Sequence, residues 1–210
     1  SVVFAASTSA SNTGELQQLF DKEVSERSPR DNFFHCLVNA AHQFHNRASN
    51  DDRYILAGYP WFKSRARDTF IALPGLTLSI EEQDYFELVM KTAERGLREF
   101  MEGKPLSVKI YEIEQPDVLL WAVWAIQQYE KHVGSEKCFQ MYGALLKDIV
   151  YYIIDGKHPN LILKENGLLY SSGREKAVTW MNSTVNGRPV VPRTGYIVEF
   201  NALWYNALCF

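Results

Sequence analysis

The sequence predicts an all-α fold, an array of antiparallel helices, on three observations. Apolar residues recur at three-to-four-residue steps through most of the chain, the connections between these runs are alternately short and long, and no run shows the period-two alternation of a half-buried strand. With 210 residues, 46% of them apolar, the chain can bury a real core as one domain or as a piece of a larger one. No repeat of fixed length suggests a solenoid.

The elements follow in order. In "DNFFHCLVNAAHQFHNR" a helix is predicted from about Asp31, with Phe33, Phe34, Leu37, Val38, Ala41 and Phe44 on the buried face. "RDTFIALPGLTL" is apolar at Phe70, Ile71, Leu73 and Leu76, and Pro74 should kink or break it because proline offers no amide hydrogen. Ser79 and Glu82 have capping-box spacing and are expected to open a helix from Ile80 to about Met101, with Phe86, Val89, Met90, Ala93, Leu97 and Phe100 inward. Pro116 is placed in the first turn of "PDVLLWAVWAIQQYEKH", and Gly134-Ser135 joins that helix to "EKCFQMYGALLKDIVYYIID" as a hairpin. Residues 156–195 read as irregular, with a strand-like piece at 168–170, and so long a connection suggests function. Helical spacing returns in "YIVEFNALWYNALCF" at Ile197, Phe200, Leu203, Trp204 and Leu208. That run carries no terminating signal, so the 210 residues are expected to be a single partial domain.

Composition excludes several functions. The formal net charge of −3 and the lack of a Lys/Arg block argue against nucleic acid. No segment approaches the roughly 18 continuous apolar residues of a membrane span. Cys36, Cys138 and Cys209 are expected to be buried reduced thiols, which with the unsuitability of "SVVFAAS" as a signal sequence points to the cytoplasm. His35, His42 and His45 share a face of the predicted helix, yet no nearby acid or cysteine completes a set, so no metal is expected. There is no Gly-rich phosphate loop, no G-x-S-x-G and no H-E-x-x-H, and no cofactor is expected.

Three clusters could carry chemistry. "YPWFKSRARDTF", residues 59–70, places Tyr59, Trp61 and Phe62 just before the adjacent Arg67 and Asp68. Asp68 could simply favour a helix start. Alternatively, aromatic faces cover the apolar faces of a sugar ring while Arg donates to its hydroxyls and Asp accepts from them. "AVTWMNS" repeats the theme with Trp180 and Asn182, and "RPVVPRTGYIVEFNALW" adds Arg193, Tyr196 and Glu199. All three fall near predicted helix starts and could gather at one end of a helical array.

The sequence resembles the C-terminal amylo-α-1,6-glucosidase domain of glycogen debranching enzymes. The resemblance lies in "AGYPWFKSRARDTFIALPGL" (57–76), "PDVLLWAVWAI" (116–126), "VTWMN" (178–182) and "VVPRTGYIVEFNALWYNAL" (190–208). It runs from about Asn32 to the last residue and covers about the first half of such a domain. It implies an (α/α)6 toroid akin to glucoamylase, incomplete in this chain, that hydrolyses α-1,6-linked glucose at branch stubs. The implied partners are glycogen or a branched malto-oligosaccharide and the rest of the same polypeptide.

By the same resemblance Arg67 and Asp68 hold the terminal glucose, Asp117 lines the pocket and Trp180 stacks on the sugar, with Tyr59, Trp61 and Arg193 as further binding residues. It also implies an inverting reaction, whose two carboxyl groups stand about 6.5–9.5 Å apart. Two departures bear on activity. Arg65 and Ala66 replace the Trp-Gly of many relatives, and Asn182 stands where many carry the acid. An amide has no proton to give near neutral pH. Either Glu199 is the acid, or Asn182 only binds substrate, or the protein does not hydrolyse efficiently. The water-activating carboxylate is expected beyond Phe210, so these residues alone should be inactive. A non-catalytic oligosaccharide-binding domain and a related glycosidase of other linkage specificity are the alternatives.

Overall fold

The computed structural model describes residues 12–48, 50–58, 61–173 and 176–210, which hold seven α-helices, a 3-10 turn and three two-stranded antiparallel hairpins. The chain divides into two compact units, residues 1–43 and 44–210.

The first unit holds α1 (Thr13–Glu26) and α2 (Phe33–His42). Each starts on an asparagine whose side chain accepts from a backbone amide of the first turn, Asn12 from Glu15 and Asn32 from His35, both at 2.8 Å. Asn39 is buried and ties α2 to the preceding loop by donating to the Ser28 carbonyl. The burial expected for α2 is met only in part. Ala41 is buried and Val38 partly so, but Phe33 is 78% exposed, Phe34 and Leu37 are exposed too, and the polar Asn39 is buried. Helical spacing shows that an apolar stripe exists but not that anything covers it. Phe44 and His45 lie beyond the end of α2, so the three histidines do not share one helix.

In the second unit β1 (His45–Arg47) pairs with β2 (Arg53–Ile55), His45 opposite Ile55. Strands of three residues are too short for period-two alternation to be read in sequence. Next come α3 (Ala66–Leu76), a 3-10 turn (Leu78–Ile80) and α4 (Gln83–Met101). Pro74 sits inside α3, one turn from its end, and does not break it. The Ser79–Glu82 capping box does not form. Glu81 adopts a left-handed conformation (φ 63°), α4 begins after Glu82, and the Thr77 carbonyl accepts the Ile80 and Glu82 amides instead. The expected inward face of α4 is otherwise present, with Phe86, Val89, Met90, Ala93 and Leu97 buried and Phe100 partly so.

The centre is α5 (Val118–Val133), which packs against α3, α6 (Ser135–Ile154) and α7 (Val198–Cys209). Val118, Leu119, Leu120, Ala122, Val123, Ala125, Ile126 and Tyr129 are all buried, so α5 is apolar around most of its girth, as a helix surrounded by others requires. Pro116 precedes the N-cap Asp117 rather than lying in the first turn. Gly134 ends α5 and begins α6 at φ 84°, ψ 158°, a conformation open to glycine, and this makes the hairpin tight. The N-cap Ile197 and, on α7, Phe200, Leu203 and Trp204 face the core, but Leu208 is exposed and Ala207 is buried in its place.

The long connection between α6 and α7 contains β3 (Leu161–Leu163) paired with β4 (Leu169–Ser171), and β5 (Thr184–Val185) paired with β6 (Arg188–Pro189). Ser171 exchanges two backbone hydrogen bonds with Gly195, anchoring the entry to α7 against β4. A similar exchange holds the entry to α3, where Ala66 donates to Tyr111 and Tyr111 donates to Ser64. Cys138 is buried, and burial pushes its thiol up to about 11. Contrary to expectation, Cys36 and Cys209 are exposed; all three are free. No described helix is long and apolar enough to cross a membrane.

Candidate functional site

The start of α3 sets the first part of the site. Arg67 and Asp68 are adjacent in its first turn, and the helical turn between them sends the two side chains to different environments. Arg67 is buried, and its guanidinium binds Asp117 through both carboxylate oxygens, Nε to Oδ2 at 2.7 Å and Nη2 to Oδ1 at 2.8 Å. Asp68 is exposed and has no hydrogen bond or ion pair among the described residues. Its charge at the N-terminus of α3 is favoured by the helix dipole, and both oxygens stay available to an incoming donor. The adjacent Arg-Asp couple read in the sequence is therefore two separate devices.

Asp117 caps α5 without bonding its amides. It serves Arg67 and also accepts from the Trp121 indole at 3.1 Å. Trp121 stands edge-on to Trp124, ring centres 5.5 Å apart. Trp121 was missed in the sequence, although its i, i+4 spacing from Asp117 is the signal that could have found it. The same Arg67 nitrogen also donates to the Val178 carbonyl at 3.3 Å. That contact brings the 178–182 segment to the start of α3, two residues before Trp180.

Here the connection places an exposed Trp180 (62% exposed), whose indole N–H donates to Glu199 Oε1 at 3.2 Å. Glu199 lies in the first turn of α7 and is gripped by Arg193, which donates from Nη1 at 2.6 Å and Nη2 at 2.8 Å. Those hydrogen bonds hold the Glu199 carboxyl down at about 2, against a smaller opposing effect of burial, with the Trp180 bond assisting. The carboxylate is thus ionised throughout the neutral range. This opposes the role of proton donor entertained for Glu199, and a carboxylate so weakly basic is equally poor at activating water. Asn182 is exposed and makes no side-chain hydrogen bond among the described residues.

The structure therefore draws Arg67, Asp117 and the Val178 carbonyl into one buried set and Trp180, Glu199 and Arg193 into a second, half-exposed one, linked by the short segment from Val178 to Trp180. Trp61 is 83% exposed, on the approach to α3, and Arg65 lies over the ring of its neighbour Phe62 at 5.1 Å. Tyr59 lies outside the described residues. The groove between α4 and α6, about 500 Å³ and lined by Asp84, Glu87, Leu88, Lys91, Glu94, Met141 and Tyr142, includes none of these groups.

A family model described as amylo-alpha-1,6-glucosidase matches residues 38–210. The chain belongs to the amylo-α-1,6-glucosidase family. The match spans α3 to α7 and every candidate residue named above, and the family is a glycoside hydrolase domain of the kind found in glycogen debranching enzymes. No curated protein and no solved structure matches the chain significantly.

Proposed function

We propose that this chain supplies the glucose-holding part of an α-1,6-glucosidase that acts on glycogen branch stubs. The observation that carries the reading is the Arg67 guanidinium, which binds Asp117 and the Val178 carbonyl together and so joins the neighbourhoods of Asp68 and Trp180. An open carboxylate and an exposed indole face are the two kinds of contact that a pyranose requires, one for hydroxyls and one for the apolar ring face. Trp180 and Asp68 are the direct contacts, with Trp61, Tyr59 and Asn182 as further ones. Arg67 and Asp117 act from beneath by fixing backbone. Arg193 and Glu199 hold the Trp180 indole edge, leaving its face to the sugar. The helices would belong to an (α/α)6 toroid completed by the rest of the polypeptide.

Neither Asn182 nor Glu199 has the chemistry of the general acid, one being an amide and the other a salt-bridged anion. That observation favours a second reading, an oligosaccharide-binding domain that does not hydrolyse. Calorimetry with a branched malto-oligosaccharide, run beside a glucose-release assay on the full-length polypeptide, separates the two. Both readings expect affinity to drop roughly tenfold or more in Asp68→Asn and in Trp180→Ala, the loss of a charged hydrogen bond or a stacked ring. Unchanged affinity in both variants sinks both readings. Release of glucose with an α-1,6 preference selects the hydrolase, and binding without turnover selects the second.

A further inference from the structure

Another cavity lies beside the entry to α3, where Lys63 and Ser64 line it. It measures about 400 Å³ and is lined by Asn46, Ala48, Tyr54, Leu56, Lys63, Ser64, Lys109 and Tyr111. The size is that of a small-molecule site. Its charge is unusual for a chain whose net charge is −3, because among the described residues the lining holds two lysines and no acid.

The neighbouring acids are already neutralised. Asp52 is buried against Arg95 at 2.6 Å and accepts from the Tyr54 hydroxyl, while Glu112 pairs with Arg65 at 3.5 Å. Lys63 donates to the Tyr111 hydroxyl at 3.3 Å and lies over that ring, 4.8 Å from its centre. Lys109 is exposed. Neither ammonium has a carboxylate within ion-pair distance among the described residues.

Ser64 supplies an independent observation. Only 5% of it is exposed, yet its hydroxyl has no hydrogen-bond partner among the described residues and is not among the sealed polar atoms of the interior. Ser64 belongs to the cavity lining, and a hydroxyl without a partner is a donor still available to an occupant. Its backbone is held rigidly, since the Ser64 carbonyl accepts the Tyr111 amide at 2.9 Å. The lining thus brings together a buried serine, two lysines without a carboxylate partner among the described residues, and the apolar Leu56, Ala48 and Tyr111 ring.

We propose that this cavity binds a hexose phosphomonoester, with Lys63 and Lys109 on the phosphate, Ser64 donating to a phosphate oxygen, and the Tyr111 ring against the sugar. Two ammonium groups match the charge of a phosphate dianion, and the hydroxyl donor adds a charge-assisted bond. A neutral sugar would leave both cations unmatched. The site stands independently of the glucose clamp at Asp68 and Trp180, and its occupant differs from the clamp's by its charge.

The test is titration of the whole chain with glucose 6-phosphate, followed by calorimetry and by amide NMR shifts at 63–64 and 109–111, with glucose and inorganic phosphate as separate arms. Glucose 6-phosphate should bind, more weakly at high salt, and Lys63→Met/Lys109→Met should weaken it roughly tenfold or more. Lys63→Arg/Lys109→Arg, which keeps both charges, should retain binding. Ser64→Ala should weaken it about threefold to tenfold. Glucose should not shift these amides. Affinity unaltered by the double methionine substitution, in a variant shown to be folded by circular dichroism, overturns the proposal. So does inorganic phosphate binding as tightly as the sugar phosphate, which would make the site a mere anion trap. Malto-oligosaccharide binding is read separately through Asp68→Asn, so failure of the clamp and failure of this cavity give different results.

Discussion

Replacing Asp117 by Asn should unfold the molecule's centre more readily than any other isosteric change described above. The substitution keeps size and shape but removes the charge that balances Arg67. The side chains of Arg67 and Asp117 are only 8% and 4% exposed, so water cannot solvate the guanidinium once its partner is neutral. One of the two charged bonds, at 2.7 and 2.8 Å, would in addition face an amide N–H. Leaving one member of a buried pair alone costs about 3–5 kcal/mol. For a chain of this size that corresponds to a fall in Tm of roughly 6–20 °C. The assay is thermal and urea unfolding followed by circular dichroism. The control is Arg67→Met/Asp117→Leu, which removes both charges and should recover most of the lost stability, because the desolvation cost of both ions disappears. An Asp117→Asn protein within about 1 kcal/mol of wild type, or a double variant no better than the single, would refute the argument that this pair is sealed from water and mutually dependent.

Other outcomes follow from the same geometry. A Cβ at Gly173 would lie 2.2 Å from Val178 Cγ1, so Gly173→Ala should cost about 1–3 kcal/mol in urea unfolding, and adding Val178→Ala should relieve it. His158 is buried between the rings of Phe100 and Tyr152, and burial lowers its pKa to about 4 from 6.5. The unfolded chain therefore binds the proton first, and stability should fall by roughly 3 kcal/mol as pH drops from 6.5 towards 4. His158→Gln should flatten that stretch of the pH profile, and an unchanged slope would count against it. Glu199→Gln should move the Trp180 indole N–H resonance upfield, as its acceptor loses charge, and the wild-type resonance should hold steady from pH 7 down to pH 5. Movement of the wild-type signal in that range would mean that Glu199 is not held ionised.

Much of the helical framework was legible in sequence because amphipathic spacing is a local property. The inward residues of α4, the continuous apolar surface of α5 and the tight joint at Gly134 all follow from residues three to four apart or from one glycine. What covers a stripe is not local. Phe33, Phe34 and Leu37 on α2 have the spacing of a core face and stand exposed, while on α7 Ala207 rather than Leu208 turns inward. The capping box at Ser79 was lost because the Thr77 carbonyl took the Glu82 amide that it would have served. Hairpins such as His45–Arg47 with Arg53–Ile55 are held by pairing rather than by pattern, and three residues carry too little pattern to read.

By itself the sequence determined that the chain is helical and that aromatic and charged residues cluster in three places, and its motifs marked the glucosidase family. Only the tertiary structure decided which charges are spent on one another. Arg67 takes Asp117, 50 residues away, instead of joining Asp68, and Arg193 takes Glu199 and keeps it an anion. The reason is physical: periodicity depends on neighbours along a helix, whereas an ion pair depends on distance through space and on the water excluded around it, and both arise only when α3, α5 and the loop before α7 meet.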